Sequence, residues 1–275
     1  MVKPRRKKGA VLQERDTLLL DLLATQFRLL SRDQIGELLP MGSVSRLNFR
    51  LKRLVEGRYL STRLITTRGP SHKLTYYLGP RSLDTFADSE HQEIAASARE
   101  QAAELTALGL PHRMLVDDIH IRFLVSQRLY PHFKLITWVD QYSQSWEQLR
   151  KLGLFFEPDG YGEYRLSFAF QNVVPFFVEA DRGTERGTLL LEKIDRYLRY
   201  AALLLTSARL SAEPFRVLFI TESNRRTKNL LEVIGTKTDK LFWVTTADRF
   251  RQAQLFDPHW SRPHQEGRHS LAPGQ

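Results

Sequence analysis

Acidic side chains gather at two points in the C-terminal half of the chain where apolar runs end. Asp159 follows Pro158, and Glu179 and Asp181 close the run from Val173 to Val178. Because side chains on a strand alternate between its two faces, Glu179 and Asp181 share one face, and a hairpin can bring Asp159 beside them. Three close carboxylates repel one another unless a hard cation neutralises them. The sequence therefore predicts a Mg²⁺ or Mn²⁺ centre on Asp159, Glu179 and Asp181, where a phosphodiester could complete the coordination.

The elements that must position these carboxylates follow from the periodicity of the apolar residues. Residues 110–257 are predicted to form an α/β domain in which helices cover both faces of a mixed sheet. The predicted strands are Phe133 to Val139, Tyr164 to Phe170, Val173 to Glu179, Phe215 to Ile220 and Leu241 to Thr245. The predicted helices are Leu115 to Leu129, a short one around Trp146, Glu185 to Ser207, and Asn224 to Ile234.

Pro158-Asp159, followed on the next predicted strand by Glu179, resembles the PD-(D/E)xK nuclease fold, or restriction-endonuclease-like fold. In that fold an Asp after Pro and a Glu-x-Lys surround a metal ion, so the resemblance implies catalytic and metal-binding roles for Asp159 and Glu179. Position 181 is Asp where the pattern has Lys, and some members of the fold carry that lysine on the following helix, where Lys193 is the candidate. Two structural alternatives stay open: Lys193 pairs with Glu179 or Asp181, or Asp181 caps the following helix.

Positive charge is concentrated at the N-terminal end. Residues 1–79 contain 16 Lys and Arg against 6 Asp and Glu, so they account for the entire net charge of +10. A compact basic module joined to a neutral remainder is typical of a protein that binds a polyanion, and phosphate is the expected target. A solubilising surface with a basic tail is the alternative that composition leaves open.

The basic module has the pattern of three helices and a hairpin. A first amphipathic helix is predicted from Arg15 to Leu30, and Ser31 is placed to cap a second one that ends before Pro40. A third helix begins near Ser43 and ends at Gly57. Its predicted inner stripe consists of Val44, Leu47, Leu51, Leu54 and Val55. Two alternating stretches, Tyr59 to Thr66 and Lys73 to Leu78, flank Arg68-Gly69-Pro70-Ser71 as the arms of a hairpin do.

This order of parts resembles the winged helix-turn-helix of DNA-binding proteins. In that family the third helix lies in the major groove and the hairpin, or wing, touches the adjacent backbone or minor groove. The resemblance implies DNA contacts from a set of residues on the third helix and the wing: Ser45, Arg46, Phe49, Arg50, Arg53, Arg68 and Lys73. Two alternatives stay open, because each arginine could lie on a solvated helix face and winged helices also serve as protein-interaction modules.

The predicted organisation is α+β with five segments. These are a basic arm at 1–14, the winged helix at 15–79, a helical connector or dimerisation element at 80–109, the nuclease-like α/β domain at 110–257 and a flexible tail at 258–275. No apolar run is long enough for a membrane span, the basic start is not followed by a signal-peptide stretch, and the chain has no cysteine. We therefore expect a cytoplasmic protein without disulfides.

Taken in order, these motifs resemble the replication-relaxation family of plasmids and other mobile elements. The resemblance rests on the winged helix, Pro158-Asp159, the phrase from Val178 to Glu185, and the Lys-Ile-x-x-Tyr that begins at Lys193. It implies a role in the replication, mobilisation or DNA processing of such an element. The partners it implies are double-stranded DNA and other replication, mobilisation or transposition proteins. A homodimer would suit a palindromic target.

Three functions remain open from the sequence. The first is a DNA-binding protein whose nuclease-like domain lacks the usual lysine and is inactive. The second is a Mg²⁺-dependent endonuclease that uses Asp159, Glu179 and the displaced Lys193. The third is a winged-helix transcriptional repressor, which leaves the second domain as a platform for a ligand or a dimer.

Overall fold

The computed structural model describes residues 11–66, 72–107, 109–140, 146–151, 153–167, 173–183, 187–207 and 215–272. The chain is an α+β protein that divides into two compact units, Met1–Asp117 and Asp118–Gln275. The division falls within one helix, Leu110–Leu129, whereas the sequence predicts the second domain from residue 110. None of the helices in the described ranges is long and apolar enough to cross a membrane.

The first unit contains four further helices and a small sheet. The helices are α1 (Glu14–Thr25), α2 (Arg32–Leu38), α3 (Val44–Glu56) and α4 (Ser89–Glu104), followed by α5 (Leu110–Leu129). The strands are β1 (Leu30–Ser31), β2 (Leu60–Thr66) and β3 (His72–Leu78), in the order β1-β3-β2, all antiparallel. The predicted starts of α2 and α3 are confirmed. The Ser31 hydroxyl accepts a hydrogen bond from the Gln34 amide, and the Ser43 hydroxyl accepts one from the Arg46 amide.

The first predicted helix is too long. It ends at Thr25, and Leu30 lies instead in β1, opposite Tyr76 of β3. Phe27, Leu29 and Leu30 are all fully buried. The apolar residues therefore continue beyond the helix end because the chain stays in the core while it changes from helix to strand.

The segment 80–109, predicted as a helical connector or dimerisation element, lies in the first unit. Its main element is α4, which packs against α1 and β3 through a buried row of small residues, Ala95, Ala98 and Ala102. The Gln101 side chain accepts a hydrogen bond from Arg28, and the Arg63 guanidinium donates to the carbonyls of Ala102 and Ala103. The small alanines let α4 approach closely, and Arg63 satisfies carbonyls that the helix end leaves without partners.

The second unit is built on a five-stranded mixed sheet. Its strands are β4 (Phe133–Asp140), β5 (Gly160–Leu166), β6 (Val173–Asp181), β7 (Arg216–Thr221) and β8 (Phe242–Thr246), in the order β4-β5-β6-β7-β8. β4, β5 and β6 are antiparallel, and β7 and β8 continue parallel to β6. The helices are α6 (Trp146–Lys151), α7 (Gly187–Ser207), α8 (Asn224–Gly235) and α9 (Ala247–Gln252).

Helices cover both faces of this sheet, as predicted. Phe177 of β6 lies in a core cluster with residues of α7 and α8, such as Tyr197 and Leu230. The neighbouring Phe176 points to the other face and stacks on Phe123 of α5 at a ring-centroid distance of 4.4 Å. A Cβ at Gly162, opposite Phe176 in the register, would lie 2.4 Å from that ring, so only glycine allows this stacking.

Two further predictions for the second unit need correction. The strand predicted from Tyr164 to Phe170 is β5 and begins earlier, at Gly160. The segment predicted as a flexible tail, 258–275, is packed as far as residue 272. Trp260 and Leu271 are fully buried, Ser261 bridges to Val244 of β8, and Trp260 bridges to His269. Isolated apolar anchors, which have no periodicity, hold this segment on the sheet.

Candidate nucleic-acid interface and candidate metal centre

Helix α3 has one buried side and one exposed cationic side. Leu47, Leu51 and Leu54 are buried, as the inner stripe predicts. The two valines of the predicted stripe differ from this, since Val44 is 61% exposed at the first turn and Val55 is half-buried. On the other side Ser45, Arg46, Phe49 and Lys52 are exposed, with 67% of Phe49 accessible. Four neighbouring positions on one helix therefore present positive charge and an aromatic ring to solvent.

Arg50 behaves differently from the other predicted contacts on α3. Its Nε donates to Asp16 Oδ1 at 2.8 Å, its Nη2 also donates to Asp16 Oδ2, and Nη2 reaches the Val11 carbonyl at 2.7 Å. Asp16 is buried and in turn accepts from the Gln13 amide at the start of α1. The hydrogen bonds that Arg50 donates to Asp16 raise the pKa of Arg50. Arg50 thus joins α3 to α1, and its contact with DNA stays a prediction.

Two of the remaining predicted DNA contacts, Arg53 and Lys73, lie on α3 and β3. Arg53 is half-buried in the last turn of α3, and Lys73 is exposed at the start of β3. Arg68 lies outside the described residues. The structure therefore places Ser45, Arg46 and Phe49 together on one exposed helix face and gives Arg50 an internal partner.

Glu179 is the centre of the second candidate site. It is 3% exposed near the end of β6, on the face that α7 covers. Lys193 Nζ donates to its Oε2 at 2.8 Å, and the Tyr197 hydroxyl donates to its Oε1 at 2.6 Å. Burial raises the pKa of Glu179 to about 7, the charge of Asp159 adds to this rise, and Lys193 and Tyr197 oppose it. The protein therefore keeps a carboxyl group with a near-neutral pKa in its interior.

The other two carboxylates have separate partners. Asp159 accepts from the Ala180 amide at 2.7 Å, which ties it to the strand that carries Glu179. Asp181 Oδ2 accepts from Arg226 Nε of α8 at 2.6 Å, and its Oδ1 accepts from the Gly183 amide at 2.7 Å. Asp159 and Glu179 thus come together, while Asp181 is paired with an arginine and closes a local turn.

This arrangement does not fit the predicted three-carboxylate metal centre. Both oxygens of Glu179 already accept hydrogen bonds, and Asp181 faces a guanidinium. In the part of the chain that the structure describes, no group of three His, Cys, Asp or Glu side chains is placed to hold a metal ion. Lys193 of α7 forms an ion pair with Glu179, and Arg226 of α8 forms one with Asp181. Metal binding by Asp159, Glu179 and Asp181 stays a prediction.

Three residues of these sites were not assigned to them from the sequence, although Tyr197 belongs to the Lys-Ile-x-x-Tyr motif. Tyr197 follows Lys193 by four positions, a helical spacing that places both on one face, and this spacing was the available signal. Asp16 and Arg226 gave no such signal, because each meets its partner across 34 and 45 residues of chain respectively. Long-range ion pairs of this kind have no signature in local periodicity.

The family model for replication-relaxation proteins matches residues 20–209, which include α3, the β2–β3 hairpin and the Glu179 site. The chain belongs to the replication-relaxation family. Neither the curated proteins nor the solved structures contain a match to it. Arg226 and the packed C-terminal segment lie beyond the residues that the replication-relaxation model matches.

Proposed function

We propose that this replication-relaxation protein binds double-stranded DNA through α3 and the β2–β3 hairpin of a winged helix, in the replication, mobilisation or DNA processing of a plasmid or other mobile element. The observation that carries the proposal is the exposed face of α3, where Arg46 and Lys52 flank Phe49. An arginine can pair with two acceptors on a guanine edge, and an aromatic ring can contact a thymine methyl group.

Electrostatics support a nucleic-acid target over a protein target for this face. Residues 1–79 account for the whole net charge of +10, because they contain 16 basic and 6 acidic residues. Two of the acidic side chains, Asp16 and Asp33, already pair with arginines of the same unit. The exposed surface of α3 is therefore left with cations that duplex DNA attracts at long range.

We assign the second unit a binding role rather than a catalytic one, within a PD-(D/E)xK-like fold. The support is the pairing of Glu179 with Lys193 and Tyr197 and of Asp181 with Arg226. A metal ion at this site would have to compete with these donors, and Lys193 and Arg226 would lose their carboxylate partners if it won. The second unit would then contact DNA or other replication, mobilisation or transposition proteins.

DNA binding and DNA cleavage can be separated in one experiment. The purified chain is incubated with supercoiled, linear and single-stranded DNA, with and without Mg²⁺ or Mn²⁺, and the products are separated on native gels. Retarded but intact DNA in every lane is expected. Metal-dependent cleavage that disappears in Glu179→Gln would contradict the binding role of the second unit and support an endonuclease.

The assignment of α3 is tested by titration of labelled duplex DNA. Arg46→Ala and Phe49→Ala should each weaken binding, and the loss for an arginine that reads a base is about 1 to 3 kcal/mol. Arg199→Ala, which removes an exposed arginine from α7 of the other unit, is the matched control and should bind as the wild type does. Unchanged affinity in both α3 variants would rule out this helix as the DNA-reading element.

A further inference from the structure

The β2–β3 hairpin exposes an apolar pair that its own unit does not cover. Leu64 and Leu74 face each other across the two strands and are 60% and 42% exposed. On the same face, nearer the root of the hairpin, Leu60, Tyr76 and Leu78 are buried. The apolar face that packs against the unit at its root therefore continues past the core towards the hairpin tip.

The opposite face of the hairpin is already occupied. Arg63 bonds to the carbonyls at the end of α4, Thr75 is fully buried, and Ile65 lies in a core cluster with Leu110 and Met114. The register of this hairpin is thus fixed by its inner face. Leu64 and Leu74 are exposed as a consequence of that register, and two facing leucines on a solvated strand face call for a ligand.

The charge around the pair identifies the kind of ligand. From residue 57 to residue 83 the sequence contains no Asp or Glu and five basic residues, Arg58, Arg63, Arg68, Lys73 and Arg81. Arg63 is held on the inner face, whereas Arg58, Lys73 and Arg81 are exposed. A second copy of this chain seated on Leu64 and Leu74 would bring two such stretches together and repel. A duplex groove offers the opposite, because its sugar walls are apolar and its phosphates are negative.

We propose that Leu64 and Leu74 form an apolar wedge that enters the minor groove of duplex DNA. The inference rests on the proposed function and deepens it, since it adds a groove and a base preference to the cationic contacts of α3. Apolar side chains in the minor groove press on base steps, and the amino group of guanine obstructs their entry. The wedge therefore favours sites whose minor groove lacks that group and whose base steps unstack easily.

The test uses two short labelled duplexes of one sequence, one with G·C pairs and one with inosine·cytosine pairs. Inosine removes only the minor-groove amino group of guanine, so the major-groove pattern read by α3 stays the same. The wild type should bind the inosine duplex more tightly, by about three- to tenfold. In the variant Leu64→Thr with Leu74→Thr this preference should vanish, because threonine keeps a high strand propensity but removes most of the apolar wedge.

The matched control is Leu18→Gln, which removes a 46% exposed leucine from α1 of the same unit and should keep the preference. A variant with Leu64→Val and Leu74→Val is measured in parallel and should give an intermediate preference. This valine variant still tests the wedge if the threonine variant folds poorly. Since no phosphate contact is lost, the salt dependence of binding should not change.

The outcomes separate this inference from the proposed function. Equal binding of both duplexes by the wild type, or a preference that survives the threonine substitutions, would overturn the wedge and leave DNA binding intact. Conversion of a dimer to a monomer by the same substitutions would overturn it in favour of a second copy. Failure of the wild type to bind either duplex would overturn the proposed function and the wedge together.

Discussion

One buried carboxyl group, that of Glu179, should make the stability of the second unit depend on pH. Its pKa of about 7 lies above the ordinary value of 4.5, mainly because burial disfavours the charged form. A carboxyl whose pKa is raised by folding contributes stability below its unfolded value, and that contribution is lost as the pH rises through the folded value. The second unit is therefore expected to weaken between about pH 5 and pH 8, by on the order of 3 kcal/mol at most.

Glu179→Gln should remove this part of the pH dependence, because the amide keeps the shape of the side chain and never ionises. Urea unfolding of wild type and variant across that pH range measures the difference directly. Glu192→Gln, at a 60% exposed side chain of the same neighbourhood on α7, is the control and should leave the wild-type profile unchanged. A Glu179→Gln profile parallel to that of the wild type would mean that Glu179 stays ionised, held by Lys193.

Arg50 gives a second test at the level of single residues. Removing its guanidinium leaves the carboxylate of Asp16, which is 1% exposed, without its main cationic partner. Arg50→Ala should therefore lower the free energy of unfolding by about 2 to 4 kcal/mol. Asp16→Asn combined with Arg50→Met should cost clearly less, since no buried charge remains. Wild-type stability of Arg50→Ala, together with weaker DNA binding, would instead favour a direct DNA contact.

Arg46 and Arg50 show what a local sequence pattern can predict about a site and what it cannot, because Arg46 is exposed whereas Arg50 is bonded to Asp16. A helical wheel placed both arginines on the outward side of α3, and it correctly separated Leu47, Leu51 and Leu54 from them. It could not foresee that Asp16 lies within reach of Arg50. Lys193 beside Glu179 was among the alternatives left open by the sequence, whereas Arg226 beside Asp181 was not.

At the level of elements, the helices and strands that pattern predicts best are those with a cap or a clear alternation. The starts of α2 and α3 were predicted because a serine marks each, and β4, β6, β7 and β8 lie within a few residues of their predicted ranges. The predicted bounds are wrong where buried residues continue along the chain without a helical or strand spacing. The residues after α1 and the segment after residue 257 are held by tertiary contacts that no local period encodes.

The packed C-terminal segment yields a prediction about an element. Trp260 is fully buried, and Arg216 and Tyr164 both donate to the Leu271 carbonyl at the far end of the segment. Trp260→Ala should destabilise the second unit by about 3 to 5 kcal/mol, because it leaves a large cavity beside β8. Thermal unfolding monitored by circular dichroism measures the loss. Leu129→Ala, at a 56% exposed leucine, is the control and should cost little.

If residues 258–272 were loosely attached, Trp260→Ala would unfold at the wild-type temperature. The loss of packing can also be measured by limited proteolysis, since the Arg268–His269 bond is a cleavage site for trypsin within the segment. Slow cleavage in the wild type and fast cleavage in Trp260→Ala are expected, because proteolysis follows the population of the opened segment.

At the scale of the whole molecule, the net charge is not spread evenly along the chain. The first unit, Met1–Asp117, contains 19 basic and 13 acidic residues, and the second, Asp118–Gln275, contains 22 and 18, so their net charges are +6 and +4. Within the first unit, residues 1–79 alone carry +10. Long-range attraction to DNA should therefore be strongest at residues 1–79, where the excess of positive charge is densest. The second unit can contribute short-range contacts that do not release counterions.

The salt dependence of DNA affinity tests this division. Each phosphate contact that is lost lowers the slope of log affinity against log salt concentration by about 1. Lys52→Ala, at an exposed position of α3, should lower the slope by that amount. Lys228→Ala, which removes an 80% exposed lysine from α8, is matched in charge and exposure and should leave the slope unchanged. An equal fall in both variants would show that the second unit also contacts the phosphate backbone, and the second unit would then be a second DNA-binding surface rather than a platform for other contacts.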